Sequence, residues 1–198
     1  MIFDPKKEMK KVKNIVIFVS GNGSNMSNLI SHFDSNSRIN VEAVFSNKKE
    51  CLGVKNAQEA GVNTIVFSKE ELNQGNVAEL VSLLSPDLIV LAGFLLKIPE
   101  EFTTTFENKI VNVHPSLLPK FGGKGMYGKH VHKAVIEARE TKSGITFHYV
   151  NENYDEGNII EQFECEVNEG DSWKDLQTKI QQLEHSHFPV VIEKLLGQ

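Results

Sequence analysis

Cysteine is scarce in this chain, with only Cys51 and Cys165 among 198 residues. They stand far apart and form no Cys-x-x-Cys pair, which argues against a disulfide framework or a thiolate zinc cluster and suits a reducing cytoplasm. Positive charge is not in excess either. Lys and Arg number 21 against 26 Asp and Glu, a net charge of -5, so no nucleic-acid partner held by a broad basic surface is expected. Long apolar runs are missing: Asn14 to Val19 is too short for a signal peptide or a membrane span. The lysine-rich stretch 1–12 reads as a flexible N-terminal extension before a single domain over residues 13–198. No internal repeat, low-complexity tract or interdomain linker interrupts that domain.

Hydrophobic residues make up 40% of the chain, enough for a sizeable core. Their spacing alternates between two periods. Ile15 to Val19 is a short continuous apolar run, the mark of a strand buried on both faces. Further strand signals fall at Val41 to Phe45, Val62 to Phe67, Asp87 to Phe94 and around Asn112. Helical spacing separates them at Met26 to Phe33, at Leu52 to Ala60 before Gly61, at Val77 to Leu84 before Ser85-Pro86, and around Pro99 to Phe106. Strand–helix alternation predicts an α/β, Rossmann-like open sheet, mostly parallel, with helices on both faces. After Pro119 the pattern shifts. A glycine-rich loop, Phe121 to Gly128, precedes a helix over His130 to Ala138. Two strands, Gly144 to Val150 and Ile159 to Val167, then flank the polar segment Asn151 to Asn158 and predict an antiparallel addition. Asp171-Ser172 caps a long C-terminal helix running through Leu183 toward Leu196.

The segment most charged with chemistry is Asn112-Val113-His114-Pro115-Ser116-Leu117-Leu118-Pro119. Side chains alternate along a strand, so Asn112 and His114 share a face and offer an amide donor beside a titratable imidazole. Pro115 and Pro119 keep the strand from continuing. Taken alone, Asn-x-His is more often a surface histidine before a turn. Directly after the first strand, Ser20-Gly21-Asn22-Gly23-Ser24-Asn25 joins a tight turn to a helix N-terminus, where unpaired N–H groups favour an anion. It lacks the last glycine of the dinucleotide fingerprint, so a mononucleotide or sugar phosphate fits better than NAD. Asp155 lies in a polar loop before Gly157, where a carboxylate can fold back onto an imidazole. His148 reads as a partly buried, satisfied histidine or an outer donor. The pairs His130/His132 and His185/His187 diverge on a helix, which disfavours metal binding, and no metal is expected.

Four blocks in order carry a family resemblance: SGNGSN at 20–25, LAGFLLKIP at 91–99, VNVHPSLLPK at 111–120 and YDEG at 154–157, with Glu184-His185 in the last helix. From Asn14 onward the chain resembles the phosphoribosylglycinamide formyltransferases, folate-dependent enzymes of de novo purine synthesis. The resemblance implies transfer of a formyl group from 10-formyltetrahydrofolate to the glycinamide amine, with small-molecule substrates only, in a monomer or homodimer. It implies that Asn112 and protonated His114 stabilise a tetrahedral oxyanion, and that Asp155 raises the His114 pKa and helps route protons. Gly23, Ser24 and Asn25 would hold the substrate phosphate, and Glu184 and Gln181 would face the ribose. Leu95, Leu96, Lys97, Ile98, Asn112 and Val150 would meet the folate. The additional domains of methionyl-tRNA formyltransferase and formyltetrahydrofolate deformylase do not fit into this chain.

The pattern also departs from the family. Phe94-Leu95-Leu96-Lys97 lacks an arginine common after this strand. The stretch between Phe67 and Val77 aligns poorly, leaving Lys69 as the one suggestion for the folate glutamate tail, and the composition of Gly122 to Gly128 suggests a lid. Two other readings stand beside formyl transfer: a hydrolase in which water replaces the amine, and a nonenzymatic nucleotide- or folate-binding module.

Overall fold

The computed structural model describes residues 11–34 and 38–197. Residues 1–10 of the expected extension lie outside the described residues. Strands β1 (Lys13–Val19), β2 (Ile39–Ser46), β3 (Thr64–Val66), β4 (Leu88–Leu91) and β5 (Ile110–His114) run parallel; β6 (Lys142–Tyr149) and β7 (Ile159–Glu166) are antiparallel. The sheet order is β3-β2-β1-β4-β5-β6-β7. Helices α1 (Ser24–Asp34), α2 (Leu52–Glu59), α3 (Lys69–Asn73), α4 (Asn76–Leu84), α5 (Glu100–Thr105), α6 (Lys129–Glu137) and α7 (Trp173–Leu195) connect or follow the strands. The expected α/β sheet with an antiparallel addition and a long last helix is what forms.

Period-2 alternation in β1 explains the layering. Ile15, Ile17 and Val19 pack with Met26, Leu29 and Phe33 of α1 and with Phe188, Val191 and Ile192 of α7. Val16 and Phe18 face the other side and join Val77 and Val81 of α4 and Phe102 of α5. A strand buried on both faces has no room for polar residues, hence its unbroken apolar run.

Helix α3 was not expected from the spacing, and its cause is local. Ser68 accepts the Glu71 N–H on its hydroxyl at 3.1 Å, and the Glu71 carboxylate accepts the Ser68 N–H at 2.7 Å. This capping box starts a single short helix anchored by Leu72, without the long periodic stripe that marks larger ones. Strand β3, at the sheet edge, is shorter than the expected Val62 to Phe67 and pairs with β2 over Thr64–Val66.

Connections leave β1 toward β2 on one side, while β4 lies on the other. The strand order therefore reverses between β1 and β4, and open α/β sheets bind ligands outside the strand carboxyl ends at such a point. Phe18 anchors the sheet beneath it, fully buried, with ring centroids 4.9 Å from Phe45, 5.3 Å from Phe94 and 5.9 Å from Phe102. Phe18→Ala is expected to cost about 3–5 kcal/mol in urea unfolding. A loss under about 1 kcal/mol would show that the aromatic cluster does not support the switch point.

Candidate active site

Two loops meet at the switch point, and Ser20 ties them. Its hydroxyl accepts the Leu95 N–H at 3.0 Å and donates to Asn47 Oδ1 at 2.7 Å. Next in the first loop, Gly23 has φ +74° and a Cβ there would stand 2.7 Å from the Gly53 Cα. Only glycine lets the turns before α1 and α2 pack this closely. Gly23 is thus a turn-former behind the site, while Asn22, Ser24 and Asn25 line the cleft. Asn25 is nearly buried and donates from Nδ2 to Glu184 Oε2 on α7 at 2.8 Å; its Oδ1 has no partner. Burial pushes the Glu184 carboxyl up, against the smaller opposing effects of Asn25 and His114.

The cleft holds about 640 Å³. Leu95, Leu96, Lys97, Ile98 and Val150 line one part, and Ser24, Asn25, Gln181 and Glu184 another. Lys97 Nζ stands 6.0 Å from the centre of the Tyr154 ring, a cation over an aromatic face at the cleft mouth. Lys69 begins α3 and is not among the lining residues.

Between these parts, the β5–β6 register sets Asn112 opposite His148 and His114 opposite Thr146. Buried Thr146 locks the turn after β5: its hydroxyl donates to the Ser116 carbonyl at 2.7 Å and accepts the Leu118 N–H at 3.0 Å. Asp155 arrives from the loop after β6. That loop closes against the strand at Gly157, where a Cβ would lie 1.8 Å from the Tyr149 carbonyl oxygen. Asp155 itself has φ +57°, a left-handed conformation that aspartate tolerates better than most residues. Its Oδ2 lies 3.5 Å from His114 Nδ1 and accepts the Gly123 N–H at 2.9 Å, while Oδ1 lies 3.7 Å from His148 Nε2. Burial raises the Asp155 carboxyl, but His114, the Gly123 N–H and His148 together hold it below the usual aspartate value. On its other side, His114 places Nε2 2.8 Å from the Phe121 carbonyl. Both ring nitrogens therefore face oxygen acceptors, an arrangement that the imidazolium can serve with two hydrogens.

The sequence-predicted trio Asn112, His114 and Asp155 thus comes together, and every other predicted site residue except Gly23 and Lys69 lines the same cleft. Residues beyond the predicted set line it too, His148, Gln177 and His132 among them. His148, read from sequence as a bland strand histidine, touches both Asn112 and Asp155. No local spacing points to it, because its partner lies across a strand pair and is set by the register of that pair. Gln177 lies one helical turn before Gln181 on α7, and His132 lines the cleft from α6. Among the described residues, no group of three or more His, Cys, Asp or Glu is arranged to hold a metal ion.

Comparison with known proteins bears on what this cleft does. The formyl transferase family model matches residues 13–192. That span takes in both cleft loops, the trio and most of α7. The chain belongs to the formyltransferase family. Among its relatives, the chloroplastic phosphoribosylglycinamide formyltransferase of Arabidopsis thaliana is 40% identical over 91% of this chain and 64% of its own length. That of Escherichia coli is 34% identical over 90% of this chain and 85% of its own. The chain thus spans a little under two thirds of the first of these and most of the second. The solved structure of the Coxiella burnetii phosphoribosylglycinamide formyltransferase superposes with a TM-score of 0.85 at 32% identity, covering 94% of this chain and 89% of that one.

Electrostatics make this chain sensitive to acid at one more position. His132 is 3% exposed and its Nδ1 is buried without a partner. Burial, helped by the charge on His114, lowers its pKa from 6.5 to about 4. An unfolded chain takes up this proton at higher pH than the folded one, so acidification favours unfolding. Between pH 6.5 and about 4 the wild type should lose stability on the order of 3 kcal/mol relative to His132→Gln, read by urea unfolding across pH. Parallel pH dependence in the two proteins would contradict a neutral, buried His132.

Proposed function

We propose that this formyltransferase transfers the formyl group of 10-formyltetrahydrofolate to the primary amine of 5'-phosphoribosylglycinamide, giving formylglycinamide ribonucleotide and tetrahydrofolate in de novo purine (IMP) biosynthesis. The observation that carries the reading is the convergence of a polar turn and an apolar slot on Asn112, His114 and Asp155 in one cleft. Ser24 and the N-terminus of α1 suit the phosphate, with the positive end of the helix dipole behind them. Gln181 and Glu184 suit the ribose hydroxyls. Leu95 to Ile98 and Val150 suit the flat pterin. The names of the Arabidopsis and Escherichia coli relatives support phosphoribosylglycinamide as the acceptor of the formyl group.

In this reading the amine attacks the formyl carbon and a tetrahedral oxyanion forms. An Asn112 N–H and the His114 imidazolium face that oxygen, which competes with the Phe121 carbonyl for the Nε2 hydrogen. Preorganised donors of this kind lower acyl-transfer barriers by roughly 3–4 kcal/mol each. Collapse of the intermediate breaks the bond to the folate nitrogen, the attacking nitrogen gives up a proton and the folate nitrogen gains one. Asp155, held anionic against His114, helps that exchange. No covalent enzyme intermediate enters. The two half-buried thiols, Cys51 and Cys165, are free and suit a reducing compartment, the cytoplasm.

Folate turnover followed spectroscopically with and without the ribonucleotide tests the proposal. Turnover that requires the ribonucleotide supports transfer, and equal turnover in water alone would identify a hydrolase. Ser24 gives a sharper probe of the phosphate subsite than Asn25, whose amide is engaged by Glu184. Ser24→Asp sets a carboxylate in the first turn of α1, where it is compatible with the helix dipole but repels a phosphate. The KM for the ribonucleotide should rise by roughly 10-fold or more, the effect of about 1.4 kcal/mol, with the folate KM little changed. An unaltered ribonucleotide KM would remove the phosphate from this turn.

A further inference from the structure

Asn112 serves an oxyanion only if an N–H, and not its carbonyl oxygen, faces the transferring group. A side-chain amide has nearly the same shape in both orientations, so packing alone does not choose between them. The hydrogen-bond network does. His148 is directly opposite Asn112 across β5–β6 and is 2% exposed. Its Nδ1 stands 2.9 Å from the Tyr149 carbonyl. A carbonyl only accepts, so Nδ1 carries the ring hydrogen, and in the neutral ring Nε2 is left as an acceptor. That Nε2 lies 3.1 Å from Asn112 Nδ2, which donates to it. Burial holds the His148 imidazole below its ordinary pKa, against the Tyr149 carbonyl and Asp155, while the charge on His114 adds to the lowering.

We propose that His148 is a positioning residue: fixed as its Nδ1–H tautomer by the Tyr149 carbonyl, it accepts one Asn112 N–H and thereby orients the amide whose second N–H serves the formyl oxygen. This rests on the formyl-transfer reading above. With the hydrogen on Nε2 instead, Oδ1 would turn to His148 and the amide nitrogen would swing to the opposite side of the group. Asp155, 3.7 Å from the same Nε2, also makes a neutral ring matter. A protonated ring would turn its hydrogen to that carboxylate and abandon Asn112. His114 and Asp155 are the titratable groups near His148, from β5 and from the loop after β6.

His148→Leu removes the acceptor and should lower kcat by roughly 10- to 100-fold, the scale of a small misplacement of a reacting group, with both KM values little changed. His148→Gln offers a side-chain oxygen to the same N–H and should recover part of that loss. In an Asn112→Ala background, His148→Leu should cost little more, because the residue it positions is gone. Nitrogen NMR of histidine-labelled wild type should show Nδ1 protonated and Nε2 bare at neutral pH. Wild-type kcat in the leucine variant, an undiminished loss in the Asn112→Ala background, or a hydrogen on Nε2 would each overturn the proposal. Wild-type protein that transfers no formyl group would fall on the proposed function instead, and the tautomer measurement would then decide the positioning claim by itself.

Discussion

The antiparallel pairing of β6 with β5 is the constraint on which the candidate site depends. It puts His148 against Asn112 and Thr146 against His114 by register alone. A slip of one residue would turn every one of these side chains to the opposite face of the sheet. Thr146 also holds the Ser116–Leu118 turn through two hydrogen bonds, so the same strand that faces His114 fixes the chain leaving it. Gln162 of β7 donates to the Thr146 hydroxyl at 2.8 Å and to the Leu118 carbonyl at 3.0 Å, which extends the lock one strand further. The antiparallel addition therefore works as the clamp that aims β5, the last of the parallel strands.

Around that clamp the parallel core supplies reach. The reversal of strand order between β1 and β4 opens a cleft that needs no distortion of the sheet, and Ser20 fastens the two diverging loops. Helix α7 closes the cleft from the far end of the chain. Asn25 and Glu184, 159 residues apart, meet there. Gly122 passes against Leu118 and the Asp155 Cβ, so the glycine-rich loop packs on the Asp155 carboxylate and Gly123 donates to it. A loop so placed can sense both His114 and Asp155.

Much of this was legible in the sequence. The apolar runs of β1 and β4, the helical spacing of α1 and α4, and the turn after β1 announced the sheet, though not the strand order that makes its switch point. Asn112 and His114 were legible because a strand fixes which side chains share a face. The placement of Asp155 was not derivable from its residues, since loop closure at Gly157 is a matter of a single steric contact with Tyr149. His148 was undervalued because its partner lies across a strand pair whose register no local spacing reveals. Gly23 was read as a phosphate ligand; its conformation and its closeness to Gly53 also give it a steric task that no local spacing shows. Helix α3 escaped notice although Ser68 and Glu71 spell its capping box, since a helix this short offers no apolar period to read.

The central claim is that Asp155 acts through His114 on one developing charge. A double-mutant cycle in single-turnover formyl transfer tests it most directly, pairing Asp155→Asn, which keeps the shape and removes the charge, with His114→Ala. Residues that act as one unit lose far less together than the sum of their separate losses. The account predicts that strong non-additivity, with the double variant close to the slower single variant. Strict additivity would mean that the carboxylate works independently of the imidazole, and the assembly described here would not be the catalytic unit.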